Sequence, residues 1–396
     1  MSNEVTIRED LRRQVAAFLA EHNPSSTERL EFLRARFDAG LAWVWFPPGL
    51  GGLSLPRELQ SEVDSLLTAA GAPDNDPQVN GIGLGMAAPT ILAFGTAEQK
   101  QRYLRPLWTG EEIWCQLFSE PGAGSDLAAV STRAVRNGDG WVVNGQKVWT
   151  SSAHLASWAI LLARTDPAVS KHAGLTYFLC DMTDPGIEVR PLRQITGEAE
   201  FNEVFLTDVH IPHSQRLGAE GEGWKVANAT LNNERVFIGR SAPRETGMVG
   251  TVARTWRERP DLRTPELHAR IVRSWVEAEV VRLAGERLRQ KSAIGQPGPE
   301  GAAMKLAFAR LAQEASGLEL ELLADEGLRY SDWTMVRPRR LDLTGRDAGY
   351  RYLRAKGNSI EGGTSEILRN VVAERVLGLP AEPRADKNIP WKDLPR

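Results

Sequence analysis

The chain has 396 residues and a formal net charge of −3, a near-neutral balance that excludes a polycationic nucleic-acid binder. Hydrophobic residues at 42% and charged residues at 25% are those of a globular protein, so neither long disorder nor a fibrous repeat fits, and the length suits two to three domains. No window approaches the ~20 apolar residues of a membrane span and the start lacks a signal-peptide plan, so a cytoplasmic protein with no membrane span is expected.

Residues 1–111 read as an N-terminal helical domain, with Leu11, Val15, Phe18 and Leu19, then Leu30, Leu33 and Phe37, near helical spacing. Phe46-Pro-Pro-Gly breaks the pattern, because Pro and Gly resist helix continuation. Gly81-Ile-Gly-Leu-Gly-Met follows no predicted strand, so it reads as close helix packing or a kink and not as a phosphate loop.

Over 112–220 the period changes to two, which predicts a middle β domain. Asn144-Gly145 between Trp141-Val-Val and Gln146-Lys-Val-Trp149 predicts a hairpin turn, since both central residues of such a turn need positive φ. Further strands are expected at 159–163, 175–180 and 201–213, forming an antiparallel barrel or sandwich. Helical periodicity returns after Trp224, breaks at 259–265 and 295–300, and predicts a C-terminal helical bundle over 221–381. Residues 382–396 are Pro-rich and charged and read as a loose tail.

Four segments carry polar chemistry. Phe118-Ser-Glu-Pro-Gly-Ala-Gly-Ser-Asp126 combines glycines that admit a close ligand with hydroxyl donors, or is simply a tight turn. Trp149-Thr150-Ser151 sets an indole beside two hydroxyls, suited to a flat heterocycle or to core packing. Asn232-Asn233-Glu234-Arg235 places a carboxylate beside a guanidinium near the start of the first C-terminal helix. Glu361-Gly-Gly-Thr364-Ser-Glu366 is a Gly-rich break whose Thr364 caps a helix or binds a ligand. Cys115 and Cys180 have no zinc spacing, and Pro212 inside His210-x-x-His213 speaks against a metal, so none is expected.

The segments Phe118–Asp126, Val143–Ser151 and Gly363–Asn370, in this order, resemble the acyl-CoA dehydrogenase family. That resemblance implies an α+β multidomain chain: an all-α N-terminal domain, a β-barrel-like middle domain and a C-terminal four-helix bundle. It also implies FAD. Gln116, Leu117, Phe118, Ser119, Gly124, Ser125, Trp149, Thr150, Ser151, Thr364 and Glu366 are then the expected cofactor contacts. Ser125, Asn232, Arg235, Gly362 and Gly363 are expected against the acyl-CoA.

The implied reaction removes the α-proton of an acyl-CoA thioester to a carboxylate and the β-hydrogen as hydride to the flavin, with electrons passing on to an electron-transferring flavoprotein. The common base position, directly before Gly-Thr-Ser, is here Gly362, and Glu361 lies one residue early. Isovaleryl- and long-chain-type members draw the base from the helix after the β domain, directly before an Arg. Glu234 matches that position and is the expected base, with Glu361 the alternative. Two family segments that reach the neighbouring subunit's FAD have no match at 254–263 and 325–333, as in members acting on steroid or other bulky acyl groups. The expected assembly is therefore a homo-oligomer, dimer or tetramer, or a heteromer with a second acyl-CoA dehydrogenase chain. An oxygen-reacting oxidase or flavin monooxygenase, and a non-catalytic subunit, are the competing readings.

Overall fold

The computed structural model describes residues 2–238, 244–292, 298–340, 346–384, 386 and 389–394; Pro243, a candidate helix kink, lies outside them. Helices α1 (Ser2–Glu21), α2 (Arg29–Asp38), α3 (Gln60–Ala69), α4 (Ala88–Phe94) and α5 (Ala97–Thr109) form the N-terminal part. Phe37, Trp43, Phe46 and Trp108 pack at its centre. The start of α5 is fixed by a capping box: Thr96 accepts from the Gln99 N–H while the Gln99 side chain accepts from Thr96. The Gly81–Met86 stretch is a helical kink, because residues Gly83–Ala87 form a π-helical turn leading into α4.

Buried Asn80 ties these helices to the sheet. Its amide donates to the carbonyls of Leu107 and Glu112 at 2.9 and 3.2 Å and its oxygen accepts from the Trp114 N–H at 2.9 Å. The strands are β1 (Trp114–Leu117), β2 (Arg133–Asn137), β3 (Gly140–Lys147), β4 (Trp158–Arg164), β5 (Leu175–Asp181), β6 (Ile187–Pro191), β7 (Asn202–Pro212) and β8 (Arg216–Leu217). Their order is β6-β7-β3-β2-β4-β5-β8, with β1 beside β4. Neighbours are antiparallel except β1–β4 and β2–β4, which run parallel, so the expected all-antiparallel middle domain is corrected there. The sheet has one face against the N-terminal helices, through Trp114, Ile160, Leu162 and Tyr177, and a second core around Trp141, Phe178 and Val209.

The hairpin expected at Asn144-Gly145 is not there. Strand β3 runs through both residues with a bulge between Val143 and Gly145, and the β2–β3 turn is at Gly138, where φ is +58°. Gly145 serves a close approach instead, since a Cβ there would stand 2.3 Å from Thr132 Oγ1. Asn144 accepts from the Asp208 N–H and donates to its carboxylate, both at 3.0 Å, pinning the bulge to β7.

The C-terminal part comprises α6 (Gly223–Ile238), α7 (Met248–Glu258), α8 (Pro265–Ser292), α9 (Gly301–Leu323), α10 (Ala348–Gly357) and α11 (Ser365–Val371). All three parts meet at one hydroxyl cluster, where Thr230 of α6 lies 3.0 Å from Thr90 of α4 and 2.9 Å from the Tyr177 hydroxyl of β5. The end of the chain is not loose as expected. Trp391 donates its indole N–H to the Ala129 carbonyl at 3.2 Å and lies under the Arg164 guanidinium, while Asp386 pairs with Lys171 at 2.5 Å. An aromatic ring that finds both a carbonyl and a cation outweighs the Pro-rich composition around it.

Candidate active site

Strand β1 continues past its last ladder residue, because the Val148 N–H donates to the Ser119 carbonyl at 2.9 Å. The following loop is braced from inside. Glu120 accepts from the Ser131 and Thr132 N–H groups at 2.6 and 2.9 Å, and Lys147 donates to Glu120, to the Phe118 carbonyl and to the Leu162 carbonyl at 2.8, 2.9 and 2.8 Å. Burial would push the Glu120 carboxyl up, but the Lys147 ammonium and these donors hold it down at about 2, so it stays ionised. Gln116 is half-buried and Leu117 and Phe118 are buried, with the Phe118 ring edge-on to Tyr177 at 5.7 Å. Gly124 and Ser125 form the exposed rim, and a Cβ on Gly122 or Gly124 would meet nothing within 4 Å, so that face is open to a ligand.

Trp149 takes φ +60°, a conformation costly for a bulky residue, and leaves its indole 57% exposed and edge-on to Phe201 at 5.8 Å. Next to it, Thr150 exchanges backbone hydrogen bonds with Asn202, both at 3.0 Å, while its hydroxyl is buried and has no partner among the described residues. Ser151 is half-buried, and the Ser152 N–H donates to the Glu200 carbonyl at 2.9 Å. An exposed aromatic plane beside an unsatisfied hydroxyl suits a planar, heteroatom-rich ring.

The C-terminal turn faces the same strand. Gly362 and Gly363 take φ +63° and +100°, and Thr364 caps α11 by accepting from the Ile367 N–H at 3.3 Å. Buried Lys305 donates to the Gly363 carbonyl at 2.7 Å. Arg354 of α10 grips both oxygens of Glu361 at 3.0 Å and stands 3.4 Å from Glu200 Oε1. Glu366 is exposed, 3.7 Å from Arg369, and points its charge at its own helix surface. Glu234 and Asn232 are half-buried on α6, one turn beyond Thr230; the Arg235 side chain lies outside the described residues. Asn233, the neighbour of Glu234, lines a cavity of about 260 Å³ together with Trp43, Trp45, Leu84, Pro89 and Trp108.

Models of the acyl-CoA dehydrogenase N-terminal, middle and C-terminal domains match residues 4–111, 115–209 and 221–377. The chain is 39% identical over 348 residues to acyl-CoA dehydrogenase IpdE1 of Mycobacterium tuberculosis, covering 87% of this chain and 86% of that one. It belongs to the acyl-CoA dehydrogenase family. Among solved structures, the ChsE4-ChsE5 complex of Mycobacterium tuberculosis superposes with a TM-score of 0.69 at 28% identity, over 96% of this chain and 99% of that one. The Tcur3481-Tcur3483 steroid ACAD gives 0.71 at 25% identity, over 95% and 98%.

Acyl-CoA dehydrogenases are FAD-dependent flavoproteins, and the middle-domain surface fits that group through the exposed Trp149 indole, the unpartnered Thr150 hydroxyl and the open Gly122–Ser125 rim. The buried brace Lys147–Glu120, the Lys305 tie and the Arg354–Glu200 contact were not anticipated from sequence. Each joins residues at least 27 positions apart, and no local spacing marks such a pair.

Proposed function

We propose that this acyl-CoA dehydrogenase carries out α,β-dehydrogenation of an acyl-CoA thioester with Glu234 as the base. The observation that carries the choice of base is the Arg354–Glu361 pair. A carboxylate held on both oxygens at 3.0 Å by a guanidinium is committed to an ion pair and is poorly placed to remove a proton. Glu234, on a helix pinned to both other domains through Thr230, is the remaining family position.

Bound FAD supplies the acceptor for the β-hydride. On the protein side, Trp149, Thr150 and Ser151 hold one face of the cofactor site, and Ser119, Gly124 and Ser125 hold its rim. Gln116, Leu117 and Phe118 line it from β1, and Thr364 and Glu366 extend it towards α11. The Gly362 backbone N–H donates to the thioester oxygen, which lowers the cost of the negative charge that builds there as Glu234 takes the α-proton. Asn232, Arg235 and Gly363 complete the contacts to the thioester. Electrons leave to an electron-transferring flavoprotein.

Replacing Glu234 by Gln is expected to leave FAD bound and to lower kcat by about 10³-fold, in the range of a lost general base, whereas Glu361→Gln keeps kcat within about tenfold of wild type. Stopped-flow bleaching of the flavin with a panel of acyl-CoAs measures both. The reverse pattern, an active Glu234→Gln enzyme and a dead Glu361→Gln enzyme, overturns the assignment.

A further inference from the structure

The turn Glu361–Gly363 has little stiffness of its own, since two successive glycines at positive φ give up the most conformational freedom on ordering. It is held from outside at two points, Arg354 on Glu361 and Lys305 on the Gly363 carbonyl, while Gln313 donates to Ser359 Oγ just before it at 2.9 Å. Arg354 also reaches the middle domain.

There it meets Glu200, a carboxylate 2% exposed whose two oxygens have no well-aligned hydrogen-bond partner among the described residues. The Arg354 guanidinium lies 3.4 Å from one of them and 5.8 Å from the Phe201 ring, and Phe201 in turn packs edge-on to Trp149. Glu200 also feels Glu198, which is engaged by the Tyr350 hydroxyl at 2.6 Å and by Arg346, and Gln194. From the segment after the Val336 bridge, Arg337 donates to the Asn202 side-chain oxygen at 2.6 Å, and burial together with that guanidinium lowers the pKa of His154.

We propose that Arg354 is a positioning residue that latches the Glu361–Gly363 turn onto the segment just before β7 that carries Glu200 and Phe201, and so fixes the Gly362 N–H relative to Trp149 and Thr150. The inference rests on the dehydrogenation reading only for its consequence in turnover; the latch itself is a property of the fold. One guanidinium is shared by two carboxylates that would otherwise repel across the domain boundary. Removing it frees the turn and leaves Glu200 buried beside Glu361 with no cation between them. Lysine cannot replace it fully, because a single ammonium lacks the planar fork that spans both Glu361 oxygens.

Hydrogen exchange of peptides covering 357–366, read in wild type, Arg354→Lys, Arg354→Met and Glu361→Gln, tests the latch without needing turnover. Exchange in that segment is expected to quicken about tenfold in Arg354→Met and Glu361→Gln and by less in Arg354→Lys, with α9 unchanged. Glu361 is one-third exposed, so Glu361→Gln is the variant that still folds if Arg354→Met does not. A pH series distinguishes a latch from generic support. Glu200→Gln is expected to abolish a change in wild-type exchange around neutral pH, where the buried carboxyl takes its charge. With any acyl-CoA that wild type turns over, Arg354→Lys lowers kcat more than it changes KM, as for a contact made chiefly in the transition state. Unchanged exchange over 357–366 in Glu361→Gln and in whichever Arg354 variant folds overturns the proposal. A dead Glu234 variant with an intact latch leaves it standing, so the two failures are separable.

Discussion

Thr150 illustrates how a single atom reports a missing neighbour. A buried hydroxyl without a partner costs about 1–3 kcal/mol, and an isosteric methyl removes that cost. Thr150→Val is therefore expected to leave the flavin-free protein equally or more stable in thermal melts, while FAD titration shows affinity reduced about tenfold. Equal affinity would remove Thr150 from the cofactor site. Glu200 makes the complementary case for charge. Burial raises its carboxyl to about 7, with Glu361 and Glu198 adding to the rise against the pull of Arg354. The folded chain thus keeps a proton that the unfolded chain gives up near ~4.3, so stability is greatest below that value and falls as pH rises through about 7. Between pH 5 and 8 wild type is expected to lose on the order of 3 kcal/mol relative to Glu200→Gln, measured by denaturant unfolding at each pH. The proposed cofactor-side residues could be named from sequence because they sit in contiguous segments. Glu200 and Arg354 were not, because their meaning arises only when positions 154 apart are folded together.

At the scale of elements, the Lys147–Glu120 brace shows why β3 is continuous where its sequence reads as a turn. Asn-Gly favours positive φ locally, but Lys147 at the strand end must reach three oxygens on two other segments, which fixes the register on both sides of the bulge. Tertiary hydrogen bonding of a buried ammonium outweighs a turn preference. Lys147→Met strands an ionised carboxylate in the core and is expected to destabilise the middle domain by about 3–5 kcal/mol, read as a lower urea midpoint. Pairing it with Glu120→Leu is expected to recover part of that loss, since removing both charges spares the desolvation. If the double variant is no better than the single one, the brace acts through shape and not through charge. The change from helices to strands and back was legible where burial on one face imposes a period, as in β7, whereas β4 and β5 are buried on both faces and read only as continuous apolar runs.

For the whole molecule, one helix face is left uncovered. Val272, Val276, Val280 and Leu283 recur at helical spacing along α8 and are each about half exposed, while Ile271, Ser274, Ala278 and Val281 on the other side are buried, the apolar ones packed with Leu311, Ala315 and Leu318 of α9. A helix apolar on two faces needs partners on both, and among the described residues α7 and α9 cover one. The second is expected to be another chain, a copy of this one or a related acyl-CoA dehydrogenase. Introducing Val276→Glu with Val280→Glu sets two charges in that face at little cost to the fold, because both positions already touch solvent. Light scattering is then expected to show the wild-type assembly, whether formed alone or with a chain co-purified from its native host, reduced to single chains. FAD per chain is expected to fall with it where a second chain completes the flavin site. A wild-type chain that is monomeric, joins no related chain and still holds one FAD would show that the α8 face serves another purpose and that this chain builds its flavin site unaided.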